Sequence, residues 1–212
     1  MKIGIIGSGD VGQALGRGFA ARGHDVKIGT RSPADGKLND WLKEVGGKGS
    51  VGTFAEVAAF GEVLVLATTG SATENAVEMA GVKNFTGKLV IDATNPLDFS
   101  NGMPPGTMYG TTDSIGERLQ KKLPQAHVVK AFNTVPNARM VDPKLPGVRM
   151  MIAGNNADAK KRVEGILRDF GWGGVIDLGG IEESRWLEAF VPLWVRAGIA
   201  LGRWDHVFDV RM

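Results

Sequence analysis

The chain has 212 residues, 43% of them hydrophobic, and sets 25 basic side chains against 23 acidic ones. That length accommodates a full nucleotide-binding domain plus a smaller appendage, and the even charge balance leaves no basic cluster dense enough for a nucleic-acid footprint. The sequence holds no cysteine, which excludes disulfides, thiolate catalysis and cysteine-bound metal, and its three scattered histidines point away from any metal site. With no signal-peptide pattern and no apolar run of spanning length, the expectation is a soluble cytoplasmic protein with neither a membrane nor a nucleic-acid partner.

Residues 3–6, Ile-Gly-Ile-Ile, predict a buried strand, being too short and too rich in isoleucine for a helix. The next six residues, Gly7-Ser8-Gly9-Asp10-Val11-Gly12, supply G-x-G-x-x-G. Gly7 allows the tight turn out of the strand, Gly9 lets backbone approach a pyrophosphate, and Gly12 lets the following helix press on the sheet. That helix spans 11–22, with Val11, Leu15, Phe19 and Ala20 at helical spacing and Gly23 closing it. Its free N–H groups and positive dipole end create an anion site without a charged side chain. A second strand over 25–28 completes the strand–turn–helix–strand context that gives the glycine motif its force.

The end of that second strand decides the dinucleotide. An NAD site places a carboxylate there for the ribose 2′-hydroxyl. Here Gly29-Thr30-Arg31-Ser32 stands instead. A carboxylate would repel a 2′-phosphate, whereas a guanidinium clamps one with two parallel charge-assisted bonds and hydroxyls add to it. The expected cofactor is therefore NADP(H). The nearest acid, Asp35, is expected to lie outside the adenosine pocket, and Lys37 is either a second phosphate contact or a solvated loop lysine.

The remaining chain alternates strands and helices, the pattern of a doubly wound parallel sheet of Rossmann type. Residues 38–45 predict a short helix and 46–52 a loop with a brief edge strand. Thr53 caps the next helix, with Glu56 close behind. Strands follow over 62–67, 88–92 and 127–132, with helices over 71–81 and 114–123. The polar stretch 97–112 predicts a long functional or mobile loop. Thr68-Thr69, Asn95-Pro96 and Asn133-Thr134 fall at carboxyl ends of strands, where ligands of open parallel sheets bind. They suit a floor for ribose and nicotinamide, although the same residues also make ordinary turns.

The final third predicts strands over 149–153 and 174–178, a helix over 156–170, and one long helix over 182–203 kinked at Pro192. Its stripe of Trp186, Leu187, Phe190, Leu193, Trp194, Ala197 and Leu201 is either core-facing, a dimer interface or the apolar wall of a substrate cleft. This division gives a dinucleotide-binding domain over 1–135 and a small C-terminal α/β extension over 136–212. His24 and His127 read as structural, and His206 reaches a cleft only if the tail folds back. No catalytic triad or carboxylate pair is present, so no catalytic residue is assigned. Lys130 is the remaining candidate for an acid or an anion contact, although strand lysines usually face solvent. Reduction of a simple ketone needs a proton donor; hydride transfer to a flavin-like ring needs mainly stacking, with reacting atoms about 3–3.5 Å apart.

At these residues the chain resembles the NADPH-dependent reductases of coenzyme F420, an 8-hydroxy-5-deazaflavin. The likeness rests on residues 2–12, on Gly29-Thr30-Arg31-Ser32, on residues 90–96, on Val129-Lys130-Ala131-Phe132-Asn133-Thr134, and on Ser184-Arg185-Trp186-Leu187-Glu188 with Pro192-Leu193. The resemblance implies that Ser8, Asp10 and Val11 contact pyrophosphate, that Thr30, Arg31 and Ser32 hold the 2′-phosphate, and that Thr68 and Thr69 line the cofactor. It also implies that nicotinamide meets its acceptor between the domains. The cytosolic reductase domains of membrane ferric reductases share the Lys-Ala-Phe-Asn stretch and pass hydride to flavin. The tail at 202–208 departs from the glycine-containing ending of the F420 enzymes. Three functions stay open: hydride exchange between NADP(H) and F420, reduction of FMN or FAD or a flavin-delivered metal ion, and NADPH sensing without turnover. A homodimer through the C-terminal helix is expected with each.

Overall fold

The computed structural model describes residues 1–210. Its first half contains β1 (Lys2–Ile6), α1 (Asp10–Ala21), β2 (Asp25–Gly29), α2 (Asn39–Val45), β3 (Gly49–Gly52), α3 (Phe54–Phe60), β4 (Val63–Leu66), α4 (Gly70–Ala80) and β5 (Leu89–Asp92). A small hairpin follows, β6 (Leu97–Asp98) with β7 (Gly106–Thr107), and then α5 (Ile115–Lys122) and β8 (His127–Lys130). The last part holds α6 (Asn137–Met140), β9 (Met150–Gly154), α7 (Ala157–Asp169), β10 (Val175–Asp177), α8 (Ser184–Ala189) and α9 (Val191–Leu201).

Eight strands form one sheet in the order β10-β9-β8-β5-β4-β1-β2-β3. From β3 through β8 the strands are parallel; β9 runs antiparallel to β8, and β10 parallel to β9. The alternation of side chains along a strand explains why both faces are covered. Val63, Val65, Leu89 and Ile91 point into a core shared with Leu15 and Phe19 of α1, Trp41 of α2 and Val163 and Leu167 of α7. Leu64, Leu66 and Val90 point the other way, onto Phe54 and Val57 of α3, Val77 of α4 and Leu119 of α5. The chain order reverses at β1, which lies between β2 and β4, so a crevice opens above the carboxyl ends of β1 and β4.

The local signals for α3 act as anticipated. Thr53 Oγ1 accepts from the Glu56 N–H at 3.3 Å, and Glu56 Oε2 accepts from the Thr53 N–H at 2.7 Å. This reciprocal cap contributes about 1 kcal/mol and fixes where the chain leaves the edge strand β3. Three expectations are corrected. The 97–112 stretch is not a structureless loop, since it carries the β6–β7 hairpin. Residues 182–203 are not one kinked helix: a 3₁₀ turn (Ile181–Glu183) leads into α8, and a break at Phe190 separates α8 from α9. Pro192 sits in the first turn of α9, where its missing N–H costs no hydrogen bond. The supposed stripe also splits, with Leu187 buried but Trp186, Leu193 and Leu201 exposed. The sequence reading missed the single-turn α6.

No helix among the described residues is long and apolar enough to cross a membrane.

Candidate active site

The crevice holds a cleft of about 450 Å³, walled by the glycine-rich turn, the residues after β2, the residues after β4 and one face of α4. Gly7 has φ +124, and a Cβ there would lie 2.4 Å from the Ala67 carbonyl oxygen. A Cβ on Gly12 would lie 2.0 Å from the Gly7 carbonyl oxygen, so neither position admits a side chain while β1, β4 and α1 keep their spacing. Gly9 differs: a Cβ there would meet nothing within 4 Å and would project into open space. The residues therefore fit a diphosphate, because bare backbone faces an open volume at the start of a twelve-residue helix whose N-cap, Gly9, supplies no side-chain bond.

Of the residues expected to hold a cofactor, Gly7, Ser8, Gly9, Thr30, Arg31, Ser32, Thr68 and Thr69 line this cleft. A second chamber of about 290 Å³ adjoins it through Ala67, Thr68 and Thr69 and is lined also by Val11, Ala93, Thr94, Asn95, Leu97 and Phe99. The structure does not bring the remaining four into either lining. Asp10 is exposed at the start of α1, Gly12 and Pro96 are buried, and Asn133 is buried beneath Asn95. Asn95 Nδ2 donates to the Asn133 carbonyl at 2.9 Å, and Asn133 Nδ2 donates to Asn95 Oδ1 at 3.0 Å and to the Leu187 carbonyl at 2.9 Å. Asn133 thus supports the chamber from below and ties it to α8.

The charged end of the cleft corrects one expectation. Asp35 lies within its wall, not outside it, beside Lys37. Asp35 Oδ1 accepts from the Lys37 N–H at 3.1 Å and its other oxygen lies 3.3 Å from the Lys37 ammonium. The backbone N–H and the ammonium of Lys37 hold the Asp35 carboxyl below the usual carboxylate range. The turn folds Asp35 back onto Lys37, and Arg31 carries the remaining positive charge of this corner.

Lys130 requires a second correction: it neither faces solvent nor reaches a chamber. Its Nζ is fully buried and donates to Asp92 Oδ2 at 2.9 Å, the Thr94 carbonyl at 2.7 Å and Glu188 Oε1 at 2.6 Å. All three of its donors are occupied. Burial disfavours the ammonium, but Asp92 and Glu188 outweigh it and raise its pKa. Burial raises the Glu188 carboxyl, with Asp92 adding to the shift and Lys130 opposing it. Glu188 also accepts from the N–H groups of Ile115 and Gly116 at 2.9 and 3.1 Å, so α8 is fastened to the first turn of α5. Asp92 Oδ1 accepts from both the N–H and the hydroxyl of Thr94. Every polar group of Thr94, a wall of the second chamber, is thereby fixed from beneath.

His206 does fold back with the tail, though onto α9. Its ring stacks on Trp194 with centroids 4.5 Å apart, and its side chain lines neither chamber.

Sequence reasoning missed the back wall of the first cleft. Ala72, Asn75, Ala76 and Met79 come from α4, and Phe54 from α3. A signal existed: these α4 positions follow i, i+3, i+4, i+7 spacing immediately after Thr68-Thr69, which marks one helix face.

The chain resembles known proteins over its whole length. A family model described as NADP oxidoreductase, coenzyme F420-dependent, matches residues 2–96. A solved structure from Arthrobacter sp. FB24, provisionally assigned as an F420-dependent NADP-reductase, is 39% identical with a TM-score of 0.95, covering 100% of both chains. An F420-dependent NADP reductase of Methanocaldococcus jannaschii is 29% identical over 94% of this chain and 93% of its own. Metalloreductase STEAP3 of Rattus norvegicus is 28% identical over 95% of this chain, which spans 39% of that longer protein.

Proposed function

Since the chain belongs to the family of coenzyme F420-dependent NADP oxidoreductases, we propose that it catalyses hydride exchange between NADP(H) and a dissociable deazaflavin of the F420 type. The observation that carries this reading is the crevice at β1 and β4, with bare backbone at α1, Arg31 and Lys37 at one end and Asn95, Leu97 and Phe99 at the other. Gly7, Ser8 and Gly9, with the free N–H groups of the first turn of α1 that follow them, hold the diphosphate, while Gly12 lets α1 pack close enough to present that turn. Thr30, Arg31 and Ser32 hold the 2′-phosphate as a charge-assisted cluster, with Lys37 beside them paired to Asp35. Thr68, Thr69, Asn95, Pro96 and Asn133 form and support the nicotinamide end.

When bound, the nicotinamide and the deazaflavin supply the hydride chemistry between them. The protein's share is alignment and exclusion of water. Leu97 and Phe99 offer an apolar wall to a planar ring, while the Asp92–Lys130–Glu188 cluster keeps Thr94 from shifting and Asn133 holds Asn95. No acid or base is assigned, since hydride transfer between two such rings depends on distance and stacking. The boundary at residues 135/136 is functional on this reading: residues 1–135 hold the dinucleotide, and 136–212 fix the acceptor side through the Leu187 carbonyl, which accepts from Asn133, and through Glu188. The protein acts in the cytoplasm as a homodimer through its C-terminal helices, where Trp186, Leu193 and Leu201 stand 56, 54 and 61% exposed.

Steady-state oxidation of NADPH with F420, FMN or FAD as acceptor tests the reading. Turnover with F420 and little with FMN or FAD is expected. The reverse preference points to a flavin reductase, a reading favoured by the likeness to the metalloreductase. NADPH binding without turnover on any acceptor points to a sensor. A second test is Arg31→Asp, which is expected to weaken NADPH by about 100-fold while NADH changes by less than about threefold, through loss of charge-assisted bonds and introduction of repulsion. Fluorescence titration of both nucleotides measures this; equal losses would remove Arg31 from the phosphate site.

A further inference from the structure

The two chambers meet at Thr68, whose hydroxyl pairs with that of Thr73. Thr73, fully buried on α4, donates its hydroxyl hydrogen to the Thr69 carbonyl at 3.1 Å. The hydroxyl oxygens of Thr68 and Thr73 lie 2.9 Å apart. A hydroxyl has one hydrogen and two lone pairs, and a carbonyl only accepts. Thr73's hydrogen is committed to Thr69, so the hydrogen between the two hydroxyls belongs to Thr68. Thr68 donates inward, Thr73 relays to the backbone, and only lone pairs of Thr68 Oγ1 remain for a ligand.

We infer that Thr68 is an acceptor-only contact at the junction of the chambers, reading a donor on the nicotinamide half of the dinucleotide, and that Thr73 is the positioning residue that imposes this polarity. The inference rests on the proposed NADP(H) site. The chemistry of the ligand makes polarity matter. Phosphate oxygens need donors, which the α1 N–H groups and Arg31 provide, while the ribose hydroxyls and carboxamide of the nicotinamide half present donors. A threonine free to rotate would serve either end of the ligand. A threonine whose hydrogen is already committed inward turns away phosphate oxygens and accepts from a ribose O–H or an amide N–H. A single neutral hydrogen bond of this kind corresponds to about tenfold in affinity.

The test compares NADPH with 2′-phosphoadenosine 5′-diphosphate, which lacks the nicotinamide half, by calorimetric titration of wild type, Thr73→Val, Thr73→Ser, Thr68→Val and the double valine variant. Thr73→Val frees the Thr68 hydrogen and is expected to weaken NADPH by about tenfold, with the fragment unchanged within about twofold. Thr73→Ser restores the relay and wild-type affinity. In the double variant the loss equals that of Thr68→Val alone, because Thr73 acts on the ligand only through the Thr68 hydroxyl, which is already gone. Additive losses, equal losses for the fragment, or wild-type NADPH affinity in Thr73→Val would each overturn the inference. If Thr73→Val folds too poorly to titrate, Thr73→Ala against Thr73→Ser and Thr68→Val carries the same contrast. Wild-type protein that binds neither NADPH nor the fragment overturns the functional reading itself; wild-type protein that binds both, with Thr73→Val indistinguishable from it, overturns only the role of Thr73.

Discussion

Lys130 shows how one buried side chain organises a site that it does not touch. Its ammonium joins β5, β8 and α8 through Asp92, the Thr94 carbonyl and Glu188. Removing one member of such a cluster leaves the other charges buried without compensation, at a cost of about 3–5 kcal/mol. Lys130→Met is therefore expected to lose about that much in urea denaturation, with part recovered by adding Glu188→Gln. The pH dependence has a definite sign. The folded-state pKa of Glu188 already lies above its ordinary value of 4.5, and without Lys130 it rises further. A carboxyl raised on folding costs stability as pH climbs from its ordinary value through its folded one. The deficit of Lys130→Met should thus shrink as pH is lowered from about 8 towards 5; a deficit independent of pH would argue that Glu188 stays ionised in the folded variant throughout that range. None of this was legible beforehand, because the partners lie 38 and 58 residues away in the chain. The glycine turn and Arg31 were legible, because their partners are a strand and a helix within thirty residues, and the spacing itself carries the geometry.

At the scale of elements, legibility follows burial. Strands β1, β4 and β5 are covered on both faces, so their sequences are continuous apolar runs that hardly admit another reading. The reversal at β9 carries no such mark, since a strand buried on both faces has the same composition in either direction. The break at Phe190 was hidden because α8 and α9 each keep helical spacing up to it. The tail beyond α9 is held by polar contacts that pattern analysis does not see. The Asp205 carboxylate accepts from Arg203 at 2.6 and 2.8 Å and from Arg139, just beyond Pro136, at 3.0 Å. Hydrogen bonds from Arg203, and then Arg139, depress the Asp205 pKa far below its ordinary 3.8. A carboxyl lowered on folding stabilises above its ordinary value and loses that contribution as pH falls through the depressed one. Asp205→Asn should consequently speed amide hydrogen exchange over residues 203–210 at neutral pH, whereas wild-type protein keeps its protection down into the ordinary carboxylate range. Unchanged exchange in the variant would assign the anchoring to the ring stack of His206 on Trp194.

Over the whole molecule, the distribution of exposed apolar surface is uneven. The central strands of the sheet are buried on both faces, yet Trp186, Leu193, Ile199, Leu201 and Trp204 all stand exposed in α8, α9 and the residue run just after them. Leu193 and Leu201 lie eight apart on α9, close to one helical face. Apolar surface gathered in this way marks an interaction site, and a self-complementary contact between two copies is the commonest way to cover one. Light scattering is therefore expected to give twice the chain mass for the wild type and the chain mass for a Leu193→Glu, Leu201→Glu double variant. None of the residues lining the two chambers comes from α9. The monomeric variant should accordingly keep wild-type NADPH affinity, and any loss of turnover in it would show that the acceptor side is completed only when two copies meet. A wild-type chain that scatters as a monomer across the same concentration range would leave this face to a different partner and remove the dimer from the proposal.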